Sequence, residues 1–374
     1  MSWTQTNLGK IINISKGKAI TKKDSKEGPY PVILGGREPA YYIDKYNHTG
    51  KAVVVSRSGA SAGYVSFWNE PIFVTDGFLI EPKSEVSIDY LYYLMKAHEC
   101  ELMGLQGGSA IPHVTPKIIN GISVSIPNNE TQSRIANILA KYDDLIENNQ
   151  KQIKLLEEAA QRLYKEWFAD LRFPGYENCK IVDGVPIEWG KGSLGDIAID
   201  SGLREKKENR QQYEYYLPID CLPKKSFAYT ETSDIELAES SLVAFKENDI
   251  LFGAMRPYFH KVVFTRDKGL TRSTCFVINA KQKEYWAFLL MLMFSDDTVN
   301  FATKISVGTT MPYVRWKDMV SMPITIPSKG ICKEFCKVII PITERISKLA
   351  KQNTKLIELR DCLLTRLMNG EIEV

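Results

Sequence analysis

Residues 107–127 read GGSAIPHVTPKIINGISVSIP, and residues 307–327 read VGTTMPYVRWKDMVSMPITIP. Gly108 and Gly308, Pro112 and Pro312, Val114 and Val314, Lys117 and Lys317, Ile126 and Ile326, and Pro127 and Pro327 are identical at an offset of 200. Further out, Trp3–Gly9 (WTQTNLG) matches Trp189–Gly195 (WGKGSLG) at an offset of 186. Between these anchors Val53–Arg57 (VVVSR) corresponds to Phe252–Arg256 (FGAMR). The offset grows along the chain, so the second copy carries an insertion between about Asp200 and Asp249. A shared order of signals at one long period marks a duplicated domain rather than a solenoid, whose repeats run about 20–50 residues.

Each copy has the same grammar. β-Branched and aromatic runs bounded by Gly, Pro and Asn predict strands over Ala52–Ser56, Tyr64–Trp68 and Phe73–Ile80 in copy one, and over Ile250–Ala254, Lys261–Thr265 and Cys275–Ile278 in copy two. A helix follows, Ile88–Cys100 or Lys283–Phe294, then the GGSAIP or VGTTMP loop and a strand ending at Pro127 or Pro327. Each copy closes with a long helix, about Gln132–Phe168 and Lys333–Met368. Apolar positions there alternate by four and three, from Ile135 and Leu139 to Leu163 and Trp167, and from Phe335 and Ile339 to Leu363 and Leu367. Such spacing over about five heptads predicts a coiled coil. Pro341 should kink the second helix. The expected fold class is α+β. Its expected domains are 1–130, a first long helix over 131–171, a second domain over 172–328 and a second long helix over 329–374.

Composition narrows the function. The 374 residues carry 48 basic and 45 acidic side chains, a net charge of +3, which neither demands nor excludes a polyanion. The seven cysteines include no CxxC and the four histidines no zinc spacing, so reduced thiols, no metal site and a cytoplasmic location are expected. The opening MSWTQTNLGK has no apolar signal core, and the longest apolar stretch, Tyr285–Phe294, is shorter than the ~20 residues a bilayer span needs. Gly59–Gly63 (GASAG) matches G-x-S-x-G, but a strand pattern, not a helix, follows it; it reads as a hairpin turn rather than a nucleophile elbow. Asp24-Ser25-Lys26 and Glu205-Lys206-Lys207 are chance-level halves of a nuclease pattern, and no phosphate loop G-x-x-x-x-G-K-[ST] exists. The chain reads as a non-enzyme. Lys16, Lys18, Lys22 and Lys23 crowd together beside Gly17, and Arg204, Lys206 and Lys207 crowd at the matching place in copy two, a recurrence that suits phosphate contacts.

Duplicated α+β domains, each followed by a long helix, resemble the specificity subunit of type I restriction–modification systems. Ser56–Val65 (SRSGASAGYV), Gly107–Val114, Ile122–Asn128 (ISVSIPN), Gln132–Tyr142 (QSRIANILAKY) and Arg162–Gly175 carry the likeness in copy one. Ile250–Pro257, Gly308–Val314 and Leu363–Glu371 carry it in copy two, so nearly the whole chain is covered. The resemblance implies two target-recognition domains separated by a long antiparallel two-helix coiled coil. It implies double-stranded DNA as ligand, and two methyltransferase (M) subunits and restriction/translocase (R) subunits as partners, with no membrane. S-adenosylmethionine, ATP and Mg would belong to those partners, and no cofactor to this chain. The alternative is a duplicated protein-binding scaffold.

The copies differ in their loops: Gly35-Gly36-Arg37 has no glycine pair opposite it in copy two. Two different readers should recognise two halves of a bipartite, asymmetric site. Base edges are read by polar and guanidinium side chains while phosphate contacts set register. Candidates in copy one are Arg37, Arg57, Ser58, Tyr64, Ser109, Ala110 and His113. In copy two they are Arg256, Tyr258, Lys261, Thr309, Thr310, Tyr313 and Arg315. Finally, Asn149 and Asn353 lie near the middles of the two helical seams. A buried asparagine costs stability unless its amide finds a partner. The two are therefore expected to meet across an antiparallel pair and fix its register.

Overall fold

Both copies build the same four-stranded antiparallel sheet. In the first, β1 (Ile12–Lys16), β2 (Lys51–Ser56), β3 (Val65–Asn69) and β4 (Gly77–Pro82) lie in the order β1-β4-β2-β3. In the second, β5 (Ala198–Asp200), β6 (Ile250–Gly253), β7 (Val262–Phe264) and β8 (Cys275–Ala280) lie in the order β5-β8-β6-β7. The computed structural model describes residues 3–21, 23, 25–83, 85–104 and 112–374. Lys22, Asp24, Ser109 and Ala110 lie outside the described residues. The chain divides into two compact units, residues 1–145 with 356–374, and residues 146–355.

Strand β2 reads KAVVVS, an apolar run rather than an alternation, because it is covered on both faces. Val53 and Val55 pack with Tyr90, Leu91 and Leu94 of the helix Ile88–Ala97 and with Ile135 and Leu139. Val54 faces Ile33, Ile72 and Val74. In the second unit Ile250 and Phe252 face the helix Trp286–Phe294, while Leu251 faces Leu217 and Phe245. That helix, WAFLLMLMF, is apolar all round because it is a core element. Among the described residues no helix is long and apolar enough to cross a membrane. The copies diverge in a second sheet. The first unit has three strands, Tyr41–Ile43, Tyr30–Ile33 and Phe73–Val74. The second has four, drawing Leu203–Glu205, Tyr215–Tyr216 and Leu242–Phe245 from the region of the expected insertion.

Several element boundaries differ from expectation. The run Phe73–Ile80 is not one strand: Phe73–Val74 pairs with Tyr30–Ile33, and the chain bends at Thr75 and Asp76 before β4. The helix expected over Ile88–Cys100 stops at Ala97 and restarts at Glu99. The long helices start earlier than expected: α1 spans Asn129–Tyr164, continuing as one π turn over Lys165–Ala169, and α2 spans Lys329–Met368 without interruption at Pro341.

Within each unit α1 and α2 pack antiparallel. In the first unit Ile135, Leu139, Leu364 and Leu367 share a core, and Arg360 Nη1 donates to Asp143 Oδ1 at 2.8 Å. Tyr93 donates its hydroxyl to the other Asp143 oxygen at 2.6 Å. In the second unit Phe168 packs edge-on to Phe335 with ring centroids 4.9 Å apart. There the two asparagines meet: Asn149 Nδ2 donates to Asn353 Oδ1 at 2.9 Å, and Asn353 Nδ2 donates to the Ile146 carbonyl at 3.2 Å. Asn149 is 5% exposed and Asn353 0%, so these bonds replace lost hydration. A one-turn slip would set both amides against apolar neighbours.

Candidate nucleic-acid interface

The turn joining β2 to β3 is where the first unit concentrates its candidates. Gly59 and Gly63 hold left-handed backbone (φ 85° and 91°), closing a hairpin in which Gly63 N–H donates to the Ser56 carbonyl at 2.9 Å. Ser61 therefore sits in a turn between two strands, not at a strand-to-helix elbow. Arg57 Nε donates to Asp76 Oδ1 at 2.5 Å, and Ser58 Oγ donates to the other Asp76 oxygen. The loop that follows the undescribed residues 105–111 is stitched on: Gly59 N–H donates to Pro112 O at 3.1 Å and Val114 N–H to Arg57 O at 2.9 Å, while Ser58 bridges His113. Lys16, Arg57, Ser58 and His113 thus line one cleft of about 400 Å³ with Phe78 and Thr115. Gly35 (φ 61°) lets its loop pass beside Ser58; an added Cβ would lie 3.0 Å from the Ser58 carbonyl. Arg37 then reaches to 5.5 Å from the Tyr64 ring centre, with Lys96 Nζ at 4.6 Å. Burial and the nearby Glu99 carboxylate push the Tyr64 hydroxyl pKa up, keeping it a neutral donor. Lys18 and Lys23 are exposed beyond the end of β1.

Hydrogen bonding corrects the alignment of the two turns. Val53 pairs with Phe67 and Ile80, and Ile250 pairs with Phe264 and Ile278. Ser56 N–H donates to Tyr64 O, and Gly253 N–H to Lys261 O. Across these two strands and their turn the structural offset is therefore 197, two residues from the sequence alignment. Arg256 is the counterpart of Gly59, not of Arg57, and His260 is the counterpart of Gly63. Both keep the left-handed backbone (φ 51° and 52°) without being glycine.

The second turn is built around that strain. Arg256 N–H donates to Pro312 O at 2.7 Å and its Nη2 to Thr310 O at 3.3 Å, while its Nε is buried without a partner. Tyr258 is 50% exposed at the tip, edge-on to Phe259, and Thr309, Thr310 and Met311 stand exposed in the neighbouring loop. His260 is buried, its Nε2 donating to Phe294 O at 2.8 Å.

Other candidates are engaged internally. Lys261 Nζ donates to Ile219 O at 2.7 Å, tying the turn to the insertion, and burial lowers its pKa. Tyr313 donates its hydroxyl to Ser273 O at 3.2 Å. Arg315 Nε pairs with Asp318 at 2.6 Å. In the second basic run Lys207 pairs with Glu239 at 3.0 Å, and Arg210 pairs with Glu236, whereas the Arg204 and Lys206 side chains are exposed. Glu205 does end a strand, but its carboxylate accepts from Tyr213, Asn209 and the Lys206 amide, which holds its pKa low. Sequence reasoning missed Asp76, which anchors both Arg57 and Ser58; its signal was the Thr75-Asp76-Gly77 punctuation inside an apolar run.

Two copies of one sheet-and-turn frame, each crowned by polar loops and backed by paired helices, define a duplicated loop-presenting scaffold. The chain belongs to the type I restriction modification DNA specificity domain family, whose model matches twice, over residues 2–158 and 186–359. Over 384 residues it is 30% identical to the type I restriction enzyme MjaIX specificity subunit of Methanocaldococcus jannaschii, covering 95% of this chain and 86% of that one. The MjaVIII specificity subunit of the same organism is 24% identical, covering 100% and 93%. The fold matches the type I restriction–modification S subunit of M. genitalium with a TM-score of 0.61 at 18% identity, covering 98% of this chain and 96% of that one.

Proposed function

We propose that this chain is a DNA-sequence-specificity subunit of a type I restriction–modification complex, and that each unit reads one half of a bipartite, asymmetric site. The observation that carries this reading is one hairpin frame bearing different chemistry at its two tips. Arg57 and Ser58 stand beside His113 in the first, with Tyr64 closing the same hairpin. Arg256 stands against Thr310 in the second, with Tyr258 and Thr309 exposed on the turn and the neighbouring loop. Arg57, bound to Asp76 through Nε alone, suits bidentate guanine contact, and Arg256 suits a single base or phosphate contact; Thr309 and Thr310 suit either base edges or phosphates, while Ser58, its proton given to Asp76, can accept from a base amino group. Lys16, Lys18, Lys22, Lys23, Arg204 and Lys206 supply backbone phosphate contacts. Arg37 with Tyr64 forms a cation–aromatic corner beside the first reader. Lys207, Lys261, Tyr313 and Arg315 serve chiefly to hold the loops, since their polar ends already bind protein groups.

In this reading the chain itself is not catalytic and works in the cytoplasm. It docks two methyltransferase subunits and the restriction/translocase subunits, which bring S-adenosylmethionine, ATP and Mg. Equilibrium binding of the reconstituted complex to duplex DNA at increasing salt tests it. Specific binding should fall steeply and linearly on a log–log plot, with a slope of about −0.9 per phosphate contacted. A complex that ignores duplex DNA, or binds all sequences alike at every salt concentration, would mark a protein-binding scaffold instead.

A further inference from the structure

The second unit contains a buried cation that the DNA-reading turn does not use. Arg266 lies two residues beyond the end of β7 and is only 8% exposed, yet its Nε and Nη1 are buried without a hydrogen-bond partner. Its guanidinium sits over Tyr229, with Cζ 4.1 Å from the ring centre, a contact that leaves Nε and Nη1 without an acceptor. No carboxylate of the described residues lies within ion-pair distance of it. An uncompensated buried charge is costly, and proteins normally pair it.

The surroundings show what would pair it. Arg266 lines a cavity of about 740 Å³ together with Lys283, Lys348 and Lys351. Glu247 and Glu344 are its acidic lining residues, and Lys351 is partly neutralised by Asp267 at 2.9 Å. Cations therefore outnumber carboxylates in the lining, with an aromatic wall of Phe264 and Trp286. The cavity sits beside Asn248 and Thr265, at the end of the β6–β7 hairpin opposite the Arg256 turn. It is also absent from the scaffold's common plan: at the offset of 197 the counterpart of Arg266 is Asn69, an exposed residue.

We propose that this cavity is a binding site for a small oxyanion, a free phosphate or phosphate-bearing metabolite, whose oxygens accept from the Arg266 guanidinium and whose remaining charge is met by Lys283 and Lys348. The site is distinct from the DNA-reading surface and goes beyond the proposed function without depending on it. An oxyanion held beside Arg266 would compensate a buried charge that has no carboxylate of the described residues within ion-pair distance, and its binding would stabilise the second unit by linkage.

Thermal unfolding of the purified full chain tests this, with sodium phosphate titrated against sodium chloride at matched ionic strength. Phosphate should raise Tm saturably, by roughly 5–10 °C at a hundredfold excess over Kd. Arg266→Met should abolish the shift. Lys348→Ala, an exposed change that spares the core, should raise the phosphate concentration at half-effect about tenfold. The titration is repeated with saturating duplex DNA, and the phosphate shift should persist. Equal effects of phosphate and chloride, an unaltered half-effect in Lys348→Ala, a saturable shift that survives Arg266→Met, or a shift erased by duplex DNA would each overturn the proposal.

Discussion

The turn at 56–64 and the turn at 253–261 trace the same backbone with opposite means. The first uses Gly59 and Gly63 where the chain must turn left-handed; the second uses Arg256 and His260. A side chain in that conformation costs about 1–2 kcal/mol relative to the right-handed region, and persists where surrounding contacts over-determine it. His260 is held by its bond to Phe294 O and by burial against that ring. Arg256 is held by Pro312 and Thr310. The difference teaches that the duplicated frame conserves shape while its chemistry drifts. In the first copy the guanidinium is offered from Arg57, braced by Asp76; in the second it is offered from a turn position two residues further along.

The largest expected effect concerns how each unit holds its helices. Asp143 and Arg360 do it by charge in the first unit, Asn149 and Asn353 by paired amides in the second. Asp143→Leu should destabilise the first unit by about 2–3 kcal/mol, because Arg360 and the Tyr93 hydroxyl lose a shared partner. Asn149→Leu alone should cost ~1–2 kcal/mol through the stranded Asn353 amide, while Asn149→Leu with Asn353→Leu should exceed the wild type in urea midpoint and lose a unique helix register. A double variant no more stable than either single one would show that the amides do not act as a pair.

Next, Arg256→Gly installs in copy two the residue that copy one uses at the same place. It should raise unfolding stability by about 1 kcal/mol and weaken specific DNA binding by about 1–3 kcal/mol. Arg57→Ala should weaken binding by a similar amount without any gain in stability, since φ there is not left-handed. The two effects should fall on different halves of the DNA site. Arg256→Gly with full affinity would make that turn a purely structural one.

The smallest effect is in pH dependence. Burial lowers the His260 pKa from its ordinary 6.5, so the unfolded chain takes up the proton first as pH falls. His260 therefore contributes stability that is complete above 6.5 and is lost as pH drops through the lower folded value. His260→Asn, which tolerates a left-handed backbone and cannot titrate, should flatten the fall in urea midpoint between pH 7 and 5. The glycine counterpart in copy one offers no such group.

The duplication, both sheets' central strands, the long helices and the asparagine contact were legible because each leaves a periodic or repeated trace. The two-residue slip between the turns was not. Strand side chains alternate with period two, so moving VVVSR by two positions keeps the same residues facing the core, and both stretches are apolar. The break at Asp76 hid inside Phe73–Ile80 because the apolar run continues on both sides of it. The internal engagement of Lys261 and Tyr313 was invisible for another reason. Their partners, the carbonyls of Ile219 and Ser273, are main-chain atoms about 40 residues away in sequence and carry no side-chain signature. Lys16, Arg57, Ser58 and His113 could be named from sequence, but only the stitching of Pro112–Val114 onto the hairpin brings them into one cleft.

The central claim, that one frame reads two sequences independently, is tested most directly by exchange. Residues 1–130 are replaced by the corresponding part of a relative with a different site. The subunit is then assembled with its methyltransferase partners, and every methylated position in a genome is mapped. The account predicts that one half of the recognised site changes to that of the donor while the other half stays as it was. A map in which both halves change together, or in which neither does, would contradict it.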